Sequence, residues 1–252
     1  MTTESFASQA EILKLARVLG TTPERLSYLE NVDAAELQAF REQVTDTLFD
    51  ANLAALERMA MASKLVPSPI LAKIAEKVFG PLLCARIAGL VDVSRGVDVA
   101  KRLKPPFLAD VAAELDPRRA SAIIARIPLD TVVEVAGELV RREDWITVGR
   151  FVGHLPDPTV RRALAVIGDE ALIRIAFVLD DKRRIDHVLG LLPEARFRGL
   201  LGVAAADEDL WAPVLDLLTH LSEKRVEQWA HLLDELPPAL RERVQETLGQ
   251  AS

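Results

Sequence analysis

Between Pro105 and Pro237 the chain is interrupted at short, regular intervals by residues that stop or start helices. They are Pro105, Pro117, Pro128, Asp144, Pro156, Gly168, Asp180, Pro193, Asp207, Ser222 and Pro237, and their separations run 12, 11, 16, 12, 12, 12, 13, 14, 15 and 15. Proline ends the preceding helix and suits the first turn of the next, where its missing N–H costs nothing. Aspartate and serine supply the side-chain acceptor that caps a new helix. Each interval therefore holds one helix of roughly eight to eleven residues and its turn, too short to be stable alone and so held by stacking on its neighbours. Two intervals make a helical hairpin of about 24 to 30 residues, in the range of solenoid repeats. The spacing predicts an α-solenoid of short helical hairpins over residues 97–248.

The first 96 residues read as a helical region with longer elements, either separate from the repeats or continuous with them as one domain. A helix over Ser8 to Leu19 presents Ile12, Leu13, Leu15, Ala16 and Leu19, with Gly20 as its stop, and Thr22-Pro23 restarts the chain. These two segments faintly suggest a helix-turn-helix, but the stretch to Lys64 is acidic, which argues against DNA reading. Asp33 is placed to cap a long helix over about residues 33–65, with Leu37, Phe40, Val44, Leu48, Ala55, Met59 and Ala62 at three- or four-residue spacing. At about 45 Å such a helix is either a brace within one chain or a homodimer seam. Pro67 and Pro69 end it, and two core helices follow, Ile70 to Phe79 and Leu82 to Leu90, with a domain boundary between Asp92 and Asp98. The class is all-α throughout: half the chain is hydrophobic and only 5% aromatic, so Leu, Ala, Val and Ile carry the burial.

A formal charge of −7 disfavours nucleic acid as a partner. The apolar stretch Ile70 to Val93 contains Lys73, Glu76, Lys77, Pro81 and Arg86, so no membrane span is expected. The opening Met1-Thr2-Thr3-Glu4-Ser5-Phe6 has neither the basic nor the apolar part of a signal peptide, and Cys84 is the single cysteine. Both point to a cytoplasmic location.

A weak word recurs at the junctions: Ile127-Pro128-Leu129-Asp130, Leu155-Pro156-Asp157-Pro158, Leu192-Pro193-Glu194-Ala195 and Leu236-Pro237-Pro238-Ala239. With the run AAELDPRRASAIIARIPLDTVVEVAGEL, it resembles the N-terminal superhelical domain of the MgtE family of magnesium transporters over Ala100 to Pro193. The resemblance implies a superhelix of short helices joined by Leu-Pro turns. The family's regulatory and transmembrane domains have no counterpart in these 252 residues, so magnesium transport is not implied and no family ligand residue carries over.

The candidate contact residues are four arginine doublets, Arg118-Arg119, Arg141-Arg142, Arg161-Arg162 and Arg183-Arg184, spaced 23, 20 and 22 residues, close to the hairpin repeat. Aligned along one groove they would bind an anionic ligand or an acidic partner. The alternative is local pairing, with Asp116 three residues before Arg119, Asp157 four before Arg161 and Asp180 four before Arg184. His154, His187, His220 and His231 lack metal-ligand spacing, and the apolar neighbours of Cys84 raise its pKa and leave it inert. No phosphate loop, nucleophile elbow or zincin motif is present, so no catalytic residue, metal or cofactor is expected. The sequence supports a non-enzymatic helical-repeat scaffold that binds a protein partner, with a carrier of a small hydrophobic or anionic ligand as the alternative.

Overall fold

The computed structural model describes residues 3–233 together with residues 238, 241, 242 and 244. Among them the regular structure is entirely helical, without a strand. In chain order the helices are α1 (Thr3–Leu19), a 3-10 turn (Pro23–Leu29), α2 (Ala34–Asp50), α3 (Leu53–Ser63), α4 (Ser68–Ile74), a π turn (Ala75–Phe79), α5 (Gly80–Ala88), α6 (Val93–Ala100), α7 (Pro105–Glu114) and α8 (Pro117–Ile124). There follow α9 (Leu129–Arg141), α10 (Trp145–Val152), α11 (Asp157–Val166), α12 (Asp169–Phe177), a 3-10 turn (Lys182–Arg184), α13 (Ile185–Leu189), α14 (Glu194–Ala206), α15 (Glu208–Leu218) and α16 (Glu223–Leu233).

The starts of these helices follow the breakers. Asp116, Asp144 and Asp207 cap α8, α10 and α15 by accepting the backbone N–H of Arg118, Thr147 and Asp209. Pro128 and Pro193 immediately precede α9 and α14, Gly168 precedes α12, and the hydroxyl of Ser222 accepts from Arg225 N at the start of α16. One cap is displaced: Asp181, rather than Asp180, accepts from Arg183 N and opens the 3-10 turn. The last junction, Leu236-Pro237, lies outside the described residues.

The long helix expected over residues 33–65 is two helices. Asp33 does open it, accepting from Ala35 N at 2.8 Å, but α2 ends at Asp50 and α3 begins at Leu53. At the turn Asn52 N reaches only Phe49 O, at 3.5 Å, while Asn52 O accepts from both Ala55 N and Leu56 N at 3.1 Å. Asp50 and Asn52 are residues whose short polar side chains compete for backbone groups and weaken a helix interior. Gly80, at φ +73°, opens α5 in a conformation that a side chain would strain.

The chain divides into two compact units, one of residues 1–39 and 167–252, the other of residues 40–166. The division falls within α2 and after α11; the boundary read from sequence, 96/97, falls inside α6. In the unit of residues 40–166, alternate helices pack on one another: α7 lies against α5 and α9, α9 also against α11, and α6 against α4 and α8. Ala85, Val111, Leu115, Ala120 and Ile124 form one core cluster of this unit; Leu56, Ala60 and Ile87 form another. Gly96 lets α6 approach α8, since a Cβ there would collide with Cδ1 of Ile123. In the other unit Ile12, Leu15 and Ala16 of α1 pack on Leu26 and Leu37, α1 lies against α15, and α12, α14 and α15 pack mutually. Trp229 stacks on Phe197 at 3.9 Å between ring centroids.

Candidate interaction surface and charged clusters

Three of the four arginine doublets carry carboxylate partners. Arg118 pairs with Asp116 at 2.8 Å, Glu42 at 3.1 Å and Asp46 at 3.2 Å. Arg119 pairs with Asp46 at 2.8 Å and Asp116 at 3.8 Å, and lies over the Phe49 ring at 3.9 Å. Together they fasten α8 to α2. Burial pushes the Asp116 carboxyl up, but the hydrogen bonds and charge of Arg118 outweigh it and hold the group below the usual carboxylate range. Arg142 reaches Asp110 at 2.5 Å and Glu138 at 2.7 Å, Arg141 pairs with Glu138, and Arg183 pairs with Asp181 at 2.8 Å. Arg184 closes the 3-10 turn. Arg161 and Arg162 differ: both are exposed on α11 and neither makes an ion pair or a side-chain hydrogen bond among the described residues.

The word Asp-x-Arg-Arg accounts for two of these doublets. In Asp116-Pro117-Arg118 and Asp181-Lys182-Arg183 the carboxylate accepts from the backbone N–H two residues on and from the guanidinium of the same residue. The capping carboxylate thereby offsets the unfavourable meeting of an arginine with a helix N-terminus.

A second charged cluster is buried in the unit of residues 1–39 and 167–252. Lys14, only 2% exposed, pairs with Glu11 and with Asp180 at 2.9 Å. Lys182 donates to Asp216 Oδ2 at 2.7 Å and to Phe177 O at 2.8 Å, and Asp216 is 1% exposed. His220 Nε2 stands 3.7 Å from Asp216 Oδ1. Burial pushes the Asp216 carboxyl up, but His220 and Lys182 outweigh it and hold the carboxyl below its ordinary value; burial draws the Lys182 ammonium down despite Asp216. A lysine with a lowered pKa is what amine catalysis requires, but this one is engaged by a carboxylate and a carbonyl. The cluster ties α1 and α15 to the segment between α12 and α13 by mutual neutralisation. Cys84 is half-buried and its thiol is pushed up to about 11 by burial, as its apolar neighbours implied.

The outer face of α3 to α5 combines exposed apolar side chains with basic ones. Among the described residues ten large hydrophobic side chains are exposed, and five of them fall here: Met61, Leu65, Ile70, Val78 and Leu82, with Leu65 at 87% and Val78 at 72%. The exposed positions of α4 and the π turn, Pro69, Ile70, Lys73, Lys77 and Val78, recur at helical spacing and define one outward face. Residues 53–88 hold five basic and two acidic residues, a net +3, so the rest of a chain of formal charge −7 carries −10. Lys64 pairs with Asp92 and Arg86 donates to Leu48 O, but among the described residues Arg58, Lys73 and Lys77 make no ion pair or side-chain hydrogen bond. Elsewhere a scattered exposed leucine requires no explanation; here apolar exposure coincides with unneutralised positive charge. The local charge reversal was readable in the sequence, but which apolar residues face outward was not.

Comparison with protein-family models, with curated proteins and with solved structures finds no match to this chain.

Proposed function

We propose that the protein is a non-enzymatic α-helical scaffold that binds a protein partner. The observation that carries this reading is the concentration of exposed apolar side chains and free cations on α3 to α5. Exposing Leu65, Ile70, Val78 and Leu82 together has no benefit for an isolated domain, whereas an apolar centre with a polar rim is the anatomy of a binding surface. Packing of alternate helices through α5, α7, α9 and α11 supports the finer reading of stacked short hairpins, a superhelix like that of the MgtE N-terminal domain. In this reading the scaffold works in the cytoplasm. A homodimer would use α2, where Phe40 and Leu48 are half-exposed.

The test is selection of random peptides displayed on phage against the intact protein, followed by hydrogen-exchange mapping of the peptides that enrich. The reading expects enriched peptides that compete for one surface and protect it. Failure of any peptide to enrich, with the protein monomeric at high concentration, refutes it.

One observation favours a second reading, a carrier of a small anionic ligand. Arg161 and Arg162 are the doublet left without counter-charge, and paired guanidinium groups suit a carboxylate or phosphate. Native mass spectrometry of freshly purified protein decides this: a co-purifying anion that is lost in Arg161→Ala/Arg162→Ala supports the carrier, and bare protein removes it.

A further inference from the structure

We infer that the outer face of α3 to α5 docks an acidic amphipathic helix of the partner, its apolar stripe on Ile70, Val78, Leu65 and Leu82 and its carboxylates on Lys73 and Lys77. The inference rests on the scaffold reading and deepens it by naming the surface and the chemistry of what binds there.

The segment Ser68 to Phe79 has the length for such an occupant. Ile70, Lys73 and Lys77 follow one another at spacings of three and four residues along a single rod, so apolar and basic groups share one side of it. From Ser68 to Phe79 that rod is about 18 Å long at 1.5 Å per residue, which matches about three turns of a partner helix. Leu65 stands just before the rod and Leu82 just beyond it. Helix recognition of this kind is read through anchors at i, i+3 or i+4 and i+7, and the apolar residues supply the complementary contacts. Among the described residues Lys73 and Lys77 have no carboxylate partner, so a partner carboxylate would meet a cation that loses no pair seen there.

Charge decides among the occupants. A second copy seated by two-fold symmetry would set this basic face against itself, lysine towards lysine. An anionic bilayer would gain about 1 kcal/mol for each of the three free cations, too little for stable attachment. It would also present a continuous negative plane to a molecule whose remaining residues carry −10. An acidic helix confines its negative charge to the patch that can neutralise it.

The experiment uses the full chain and a fluorescent synthetic peptide of about 18 residues, with leucines at i, i+3, i+4 and i+7 flanked by glutamates, read by anisotropy. A matched peptide with lysine for each glutamate, phosphatidylserine-containing vesicles and sedimentation equilibrium of the protein alone form the other arms. The glutamate peptide is expected to bind and the lysine peptide not. Lys73→Glu/Lys77→Glu and Leu65→Ser/Val78→Ser should each weaken binding at least about tenfold with the circular dichroism unchanged, since all four residues are exposed. Equal binding by the variants, no binding of the glutamate peptide, charge-dependent vesicle binding without peptide binding, or self-association lost in Lys73→Glu/Lys77→Glu would each overturn the inference. Should displayed peptides enrich on another surface while this face stays unprotected, the scaffold reading stands and only this assignment falls.

Discussion

Replacing Asp216 by asparagine tests whether the buried ionic cluster holds its unit together. The change keeps the volume of a side chain that is 1% exposed and removes its charge, leaving the Lys182 ammonium with neutral acceptors, an amide oxygen and Phe177 O, in place of the carboxylate. Removing one partner of a buried pair costs about 3 to 5 kcal/mol, because the remaining charge is desolvated without compensation. The Lys182 side chain keeps 17% of its exposure, and burial already draws its pKa down, so it can shed part of the cost by deprotonating. The lower figure, about 3 kcal/mol, is therefore expected, or a fall in Tm of about 6 to 12 °C. Trp211 and Trp229 belong to this unit and Trp145 to the other, so urea unfolding followed by fluorescence in a Trp145→Phe background reads the right unit. The sign with pH follows from the depressed Asp216 carboxyl. Its stabilisation is complete above the unfolded pKa of about 3.9 and is lost as pH falls through the lower folded value. The gap between wild type and Asp216→Asn should thus be full at neutral pH and close below about pH 4. A loss under about 1 kcal/mol at pH 7, or a gap that persists in acid, refutes the structural role; Lys182→Met/Asp216→Leu should recover most of the stability, since an apolar pair replaces a buried ionic one at little cost.

Glu143 sits at φ +58° after α9, with Asp144 N bonded to Leu139 O and Glu143 N to Val140 O, the helix-ending arrangement that normally carries glycine. Glu143→Gly should therefore stabilise the unit of residues 40–166 by about 0.5 to 1 kcal/mol in urea unfolding followed by Trp145 fluorescence. Asp116→Ala removes both the cap of α8 and a counter-charge of Arg118 and Arg119, and should cost about 1 to 2 kcal/mol by the same assay. Cys84, with its thiol near 11, should react with iodoacetamide at pH 8 at least about tenfold more slowly than a free cysteine, its rate still rising towards pH 11.

What the sequence disclosed was local chemistry. Helix starts at Asp116, Asp144, Asp207, Pro128 and Pro193 were legible because a cap is settled by one side chain and the backbone within three residues of it. The break between α2 and α3 was not, because the apolar spacing continues across it from Leu48 to Ala55 and only the pair Asp50 and Asn52 marks the turn. Asp180 and Asp181 both offer a capping carboxylate; Asp181 stands in the Asp-x-Arg-Arg word and caps the turn, while Lys14, 166 residues away, takes Asp180. The arginine doublets stand out by their period, yet Asp-x-Arg-Arg, the shorter word inside it, explains why Arg118 and Arg183 stand where a helix dipole alone would exclude them. The α3 to α5 face escaped notice for the opposite reason: apolar residues at helical spacing read as core, and exposure is a property of the packed molecule.

The long-range pairing of Lys14 with Asp180 also constrains the order in which the chain can assemble. Residues 40–166 are contiguous, and α5, α7, α9 and α11 each pack on the next helix but one, the kind of local contact that favours rapid folding. The other unit needs residues 1–39 to wait until residue 167 and beyond are available. Ile12, Leu15 and Ala16 find Leu26 and Leu37 within residues 1–39, but the packing of α1 on α15 and the pairing of Lys14 with Asp180 need the later segment. Partial docking is disfavoured, because burying Lys14 before Asp180 is in place strips water from the ammonium without supplying this carboxylate. The hydrophobic face of α1 supplies the drive to dock, and the buried charges make that docking depend on the correct partner segment.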